Sequence, residues 1–140
     1  MWMFEDKEFD ENLIAKNEGF VYLITNKLTG KQYIGRKYFF SLTKKKGKRN
    51  KVRAVSKWKD YYGSSKTLKS DIEALGKDSF KREILCICST RGDTNRMEIE
   101  LLWQHKVLDS DQYYNESIGH FKTANEKTIS SRIYSTKLGK

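Results

Sequence analysis

The chain has 140 residues, 33 % of them charged and 37 % hydrophobic, and carries a formal net charge of +10. That length predicts one domain with a modest core, and no apolar run is long enough to span a bilayer. The positive excess calls for an anionic partner, nucleic acid first, because neutralising phosphates releases counterions.

A membrane surface would instead be met by an amphipathic basic helix or a lipid anchor, and the sequence has neither. Phe4–Asn12 is acidic, not basic and then apolar, so no signal peptide is expected. There is no proline and no low-complexity tract, which predicts a soluble, cytosolic, globular protein. Cys86 and Cys88 lie two apart in an apolar run and share a face on a strand. A structural zinc normally takes four ligands. With two cysteines and two histidines, reduced core thiols are the expectation.

Asp10–Lys16 predicts a short acidic helix ahead of the first strand. Phe20–Thr25 and Lys31–Arg36 then form a hairpin around a Gly-containing loop. Lys44–Lys59 follows, with nine Lys or Arg and no acid before Asp60. Such a block is often only a solvated loop. Here Phe39, Phe40, Val52, Val55 and Trp58 interleave with it or flank it, which suits an ordered insertion lying against phosphates.

Ser64 or Ser65 is placed to cap a helix whose apolar face is Leu68, Ile72 and Leu75, and Gly76 to end it. Phe80–Cys88 reads as a third strand. Arg91-Gly92-Asp93 reads as a turn, and a second helix is expected from about Thr94 to Leu108. A polar loop from Asp109 to Asn115 leads into the tail. The sum is an α+β fold, a small three-stranded antiparallel sheet flanked by helices, with a basic insertion and a basic tail.

Glu98 sits in the early turns of the second helix, at the edge of its apolar stripe. On helix pattern alone it reads first as a carboxylate favoured by the helix dipole, with a site residue as the other reading. Glu100, two positions on, faces another direction. Phosphodiester hydrolysis needs a water, a proton acceptor, cations on the phosphate and charge neutralisation at the leaving oxygen. One carboxylate can anchor a single Mg²⁺, and an arginine can grip phosphate bidentately. A tyrosine serves as base only if its pKa is lowered, and Arg36 and Lys37 are basic neighbours able to lower it.

Tyr22, followed after ten intervening residues by Tyr33-Ile34-Gly35, resembles the GIY-YIG nuclease signature. The first triplet is Phe20-Val21-Tyr22, with Phe at a position that varies in that family. Ser64-Ser65, the helix to Gly76, the strand from Phe80, Glu98, Trp103 and Asn115 continue the family order over about residues 19–118. The insertion followed by Trp58-Lys59 and Tyr61-Tyr62-Gly63-Ser64-Ser65 is similar to the phage Seg-type free-standing homing endonucleases.

The resemblance implies a metal-dependent DNA endonuclease acting on double-stranded DNA, with one Mg²⁺ or Mn²⁺ per site and no small-molecule cofactor. If the chain is phage-encoded, it would act in the host cytoplasm. Tyr22 and Tyr33 would face the site, with Tyr22 helping to activate water. Glu98 would hold the metal and Arg36 would touch phosphate, while Gly35 and Asn115 would support the site. An arginine that usually opens the helix after the second triplet is missing from Phe39–Thr43. Arg53 is the candidate substitute, with Arg49 behind it, and Tyr62 is the candidate for a second polar catalytic residue. Lys37, Lys44, Lys45, Lys46, Lys48, Arg49, Lys51, Lys57 and Lys59 are the expected phosphate contacts.

In domain terms, 1–18 is an extension, 19–118 the nuclease-like domain with its insertion at 41–59, and 119–140 the tail. Within the tail, Glu126, Ile129, Ser130, Ile133 and Leu138-Gly139-Lys140 resemble one copy of the nuclease-associated modular DNA-binding motif. The charge alone supports a non-catalytic nucleic-acid-binding module equally well. A protein-interaction role predicts no DNA affinity at low salt. An HNH-type nuclease would need paired histidines, and His105 and His120 are isolated, His105 reading as a helix-surface residue.

Overall fold

β3 (Gly19–Asn26) runs through the molecule with both faces covered, and every other element is placed relative to it. The computed structural model describes residues 1–44, 46–47 and 49–119, and the backbone of 121–122. Lys45, Lys48, His120 and the tail motif from residue 123 onward lie outside the described residues.

In chain order, β1 (Trp2–Phe4) and β2 (Lys7–Glu8) form a short hairpin, followed by a 3-10 turn at Glu11–Lys16. β3 and β4 (Gln32–Tyr38) come next, then β5 (Phe40–Lys44) and β6 (Lys51–Val55). A 3-10 turn at Trp58–Asp60 leads to α1 (Lys66–Leu75), β7 (Phe80–Cys88) and α2 (Arg91–Gln104). A 3-10 turn at Val107–Asp109 and the small pair β8 (Ser117–Ile118) and β9 (Phe121–Lys122) complete it.

The main sheet has five strands in the order β2-β1-β7-β3-β4 and is mixed, with β1 parallel to β7. The expected three strands, β4, β3 and β7, are present and antiparallel, but the sheet is larger. The extra pair was hidden because its turn, Glu5-Asp6, takes two left-handed residues (φ 51° and 63°) where Asn-Gly is the usual signal. Trp2 holds the hairpin down by donating its indole N–H to Trp58 O at 2.9 Å.

Alternation along β3 divides the core. Phe20, Tyr22 and Ile24 face Leu68 and Ile72 of α1 together with Trp2, Phe9, Phe39 and Trp58. Val21 faces Ile34, Leu102, Val107 and Ile118 on the α2 side. Each such side chain buried in full contributes about 1.5–3 kcal/mol. Arg82, also buried, lies between the Trp2 ring (4.5 Å) and the Tyr62 ring (4.1 Å). It donates to Lys59 O and Tyr61 O, both at 2.9 Å, which ties the loop before α1 to the sheet.

α1 is capped as expected, Ser65 Oγ accepting from Leu68 N at 3.2 Å and Gly76 ending it at φ 87°. α2 differs. Arg91-Gly92-Asp93 is its first turn and not a separate one, because Thr90 Oγ1 accepts from Asp93 N at 3.1 Å and starts the helix earlier. It also stops earlier, at Gln104, since Lys106 takes a left-handed backbone (φ 52°). His105 caps its exposed end. Cys86 and Cys88 are free thiols on one face with sulfurs 3.7 Å apart. Burial pushes the Cys88 thiol up to about 11.

Candidate active site at the edge of β4

β4 is the last strand of the sheet, so its outward N–H and C=O groups need partners. Gln32 N–H donates to Gln112 O (2.8 Å), and Tyr114 N–H donates to Gln32 O (2.7 Å). At the next outward position the Asn115 side chain stands in for a strand. Its Oδ1 accepts from Ile34 N (3.0 Å) and its Nδ2 donates to Ile34 O (2.7 Å). Asn115→Ala is expected to cost about 1–2 kcal/mol, measured by urea unfolding, because two edge groups lose their partners.

One step further along this edge the Arg36 backbone amide hydrogen-bonds the Glu98 carboxylate, and Arg36 Nη1 lies 3.3 Å from Glu98 Oε1. Glu98 reaches the edge from α2, on one face of the sheet. Tyr33 belongs to the other face, packed against the α1 cluster. The edge strand is where the two faces meet, and there a cleft of about 610 Å³ opens, lined by Tyr33, Arg36, Ser64, Asn95, Glu98 and Asn115 among others.

Burial raises the Glu98 pKa, with Arg36 and its amide pulling it back down in part. Glu116 is the other carboxylate lining the cleft. Among the described residues no group of three or more His, Cys, Asp or Glu side chains is placed to hold a metal. The cleft offers hard oxygen donors from carboxylate, hydroxyl and amide groups. That donor set fits Mg²⁺ or Mn²⁺, which keep most of their waters and accept one or two carboxylates.

Tyr22 and Gly35 face each other across β3 and β4, and the missing Cβ is what lets the rings lie over the strand. A Cβ at Gly35 would sit 2.6 Å from Tyr22 Cζ and 2.9 Å from Tyr33 Cε2. Tyr22 is 1 % exposed and does not line the cleft, while Tyr33 does, with its hydroxyl 3.2 Å from Ser64 Oγ. Burial raises both phenol pKa values. The expected lowering by Arg36 and Lys37 is therefore overturned: desolvation outweighs any nearby cation, and both tyrosines are neutral hydroxyls at neutral pH.

Other expected residues stand apart from the cleft. Arg53, on β6, pairs with Glu18 (2.6 Å) and stacks on Phe40 (3.6 Å). Arg49 is exposed near the tip of the insertion hairpin. Tyr62 packs against Arg82 and lies 5.4 Å from the Lys77 ammonium. Lys37 is half-buried with its ammonium 4.3 Å over the Tyr61 ring, and burial lowers its pKa. Lys59 pairs with Glu11 at 2.5 Å.

The insertion is an ordered two-stranded ribbon, β5 against β6, separate from the main sheet. Lys44 and Lys51 sit directly opposite each other at its end. Among the described residues, Lys44, Lys46, Arg49, Lys51 and Lys57 are exposed and have no carboxylate within ion-pair reach. Sequence reading missed Asn95, Tyr38 and Glu116. Asn95 precedes Glu98 by one helical turn, a spacing that becomes informative only once α2 is known to begin at Arg91.

A family described as "Putative endonuclease segE, GIY-YIG domain" matches residues 2–118 of the chain. The chain belongs to this Seg-type GIY-YIG family. No curated protein and no solved structure matches it. No helix among the described residues is long and apolar enough to cross a membrane.

Proposed function

We propose that the chain is a divalent-metal-dependent DNA endonuclease of the homing type, acting on double-stranded DNA in the cytoplasm of a phage host. The observation that carries this is the half-buried Glu98 carboxylate, set against Arg36 at 3.3 Å in a cleft that Tyr33 also lines. Glu98 holds one Mg²⁺ or Mn²⁺. When bound, the metal supplies charge that polarises the scissile phosphate and acidifies water. Arg36 contributes its remaining N–H donors to the phosphate oxygens. Tyr33, a neutral hydroxyl already oriented by Ser64, positions the attacking water, and Tyr22 packs behind it. Asn115 keeps the β4 edge from shifting, and Gly35 keeps both rings in place.

The Lys44–Lys51 ribbon lies along the phosphates. Like charges directly opposite on a ribbon are destabilising unless an anion sits between them. Lys44→Ala with Lys51→Ala is expected to weaken binding to any duplex and to flatten the slope of log K against log salt by about 1–2. Gel shifts at a series of salt concentrations check this. An unchanged slope would place the DNA path elsewhere.

The test of the reading is supercoiled plasmid incubated with Mg²⁺ or Mn²⁺ beside an EDTA control. Nicked or linear product in the metal lanes only is the expected result. Intact plasmid throughout, with a salt-sensitive gel shift, would select the non-catalytic DNA-binding reading.

A further inference from the structure

We propose that Asn95 and Tyr38 form a positioning pair that fixes the Arg36 guanidinium for the phosphate, an inference that rests on the endonuclease reading above. Arg36 leaves an exposed strand edge on a long flexible stem, so its head group needs side-chain partners to hold it in one place. Two directions fix a planar guanidinium. Nη1 is held by Glu98 Oε1 at 3.3 Å, and Nε donates to Asn95 Oδ1 at 2.6 Å. The Tyr38 hydroxyl lies 3.3 Å from the same Nε and hydrogen-bonds Asn95 Oδ1.

The proton positions in this cluster follow from chemistry. Arginine Nε can only donate, so the Asn95 atom facing it must be the oxygen. That oxygen has no proton to give, so Tyr38 must donate to it as well. Asn95 Oδ1 thus accepts twice, and the rotor of Tyr38 and the flip of Asn95 are both fixed by Arg36. Tyr38 is itself held, its ring packed against the Arg91 guanidinium at 3.6 Å with that of Arg36 at 5.5 Å. Arg91 is anchored in turn by donating to Phe40 O at 3.1 Å.

An amide suits this place better than a carboxylate. Asn95 and Glu98 lie on one face of α2, and an acid at both would neutralise Arg36 twice over. The neutral oxygen orients the guanidinium and leaves its charge for phosphate. Neither Asn95 nor Tyr38 needs to touch DNA for this.

Single-turnover cleavage of plasmid with Mg²⁺, set beside gel-shift affinity, tests the pair. Asn95→Ala is expected to slow cleavage by about 100-fold, the penalty of a misplaced catalytic group, with DNA affinity nearly unchanged. Tyr38→Phe keeps the stacked ring and loses only the hydroxyl, so a several-fold slowing is expected. In a double-mutant cycle, Asn95→Ala added to Arg36→Lys should cost almost nothing further. Tyr38→Phe added to Arg36→Lys serves the same cycle if Asn95→Ala fails to fold. Wild-type speed in Asn95→Ala, or losses that multiply independently of Arg36, would overturn the pairing while wild-type cleavage upholds the endonuclease reading. Failure of the wild type itself to cut with any divalent metal would overturn both.

Discussion

Glu98→Gln is expected to leave supercoiled plasmid intact at neutral pH with Mg²⁺, a loss of at least about a thousandfold, while duplex binding persists. Gln keeps the shape of the side chain but removes the charge that would hold the metal. The same variant should melt at a higher temperature than the wild type. Burial places the folded pKa of Glu98 above its unfolded value. Below the ordinary carboxylate pKa, about 4.3, Glu98 is protonated in both states and its contribution to stability is fully present. That contribution is lost as pH rises through the raised folded value, because the folded state then carries a desolvated charge. Gln never ionises, so its advantage should be present at neutral pH and vanish in acid. Thermal melts without metal at several pH values read this directly. Wild-type cleavage by Glu98→Gln would move the metal to Glu116, the other carboxylate of the cleft.

Gly35→Ala is the second large effect. The added methyl has no room: it meets Tyr22 Cζ at 2.6 Å, and that ring is wedged among Trp2, Phe20, Tyr33 and Tyr61. Overpacking of this kind costs about 3 kcal/mol at its upper range, a fall in melting temperature on the order of 10 °C. The alternative to unfolding is displacement of the Tyr33 ring, which removes its hydroxyl from Ser64 and slows cleavage. Either way the variant should be less stable or less active than Gly92→Ala, where an added Cβ meets nothing. Circular dichroism melts of the two alanine variants make the comparison.

Much of this arrangement was legible before any coordinates. Ser65, Leu68, Ile72 and Gly76 write α1 in local chemistry, and Phe80–Cys88 is the third strand to the residue. Tyr33, Arg36, Glu98 and Asn115 line one cleft at the β4 edge, while Tyr22 is buried behind it on β3. What stayed hidden depended on distant partners. The Glu5-Asp6 turn carries no glycine, so the first hairpin left no turn signal. Arg53 was the candidate for an arginine missing from the family pattern, and only the fold shows Glu18 beside it. The direction of the tyrosine pKa values follows from burial, which no local pattern around Tyr22 discloses. Asn95 has no motif of its own and gains meaning only from the strand residue it faces.

The parallel pairing of β1 with β7 also bears on how the chain assembles during translation. Trp2 pairs with Arg82 and Phe4 with Ile84, so β1 leaves the ribosome well before its strand partner β7 exists. Until then β1 is an apolar strand without its main-sheet neighbour, and the Trp2 indole has no Arg82 beside it. Closing so long a loop comes late and slowly. Nascent chains halted before β7 should therefore be protease-sensitive at β1, and protection of β1 should arrive together with that of β7, as one event.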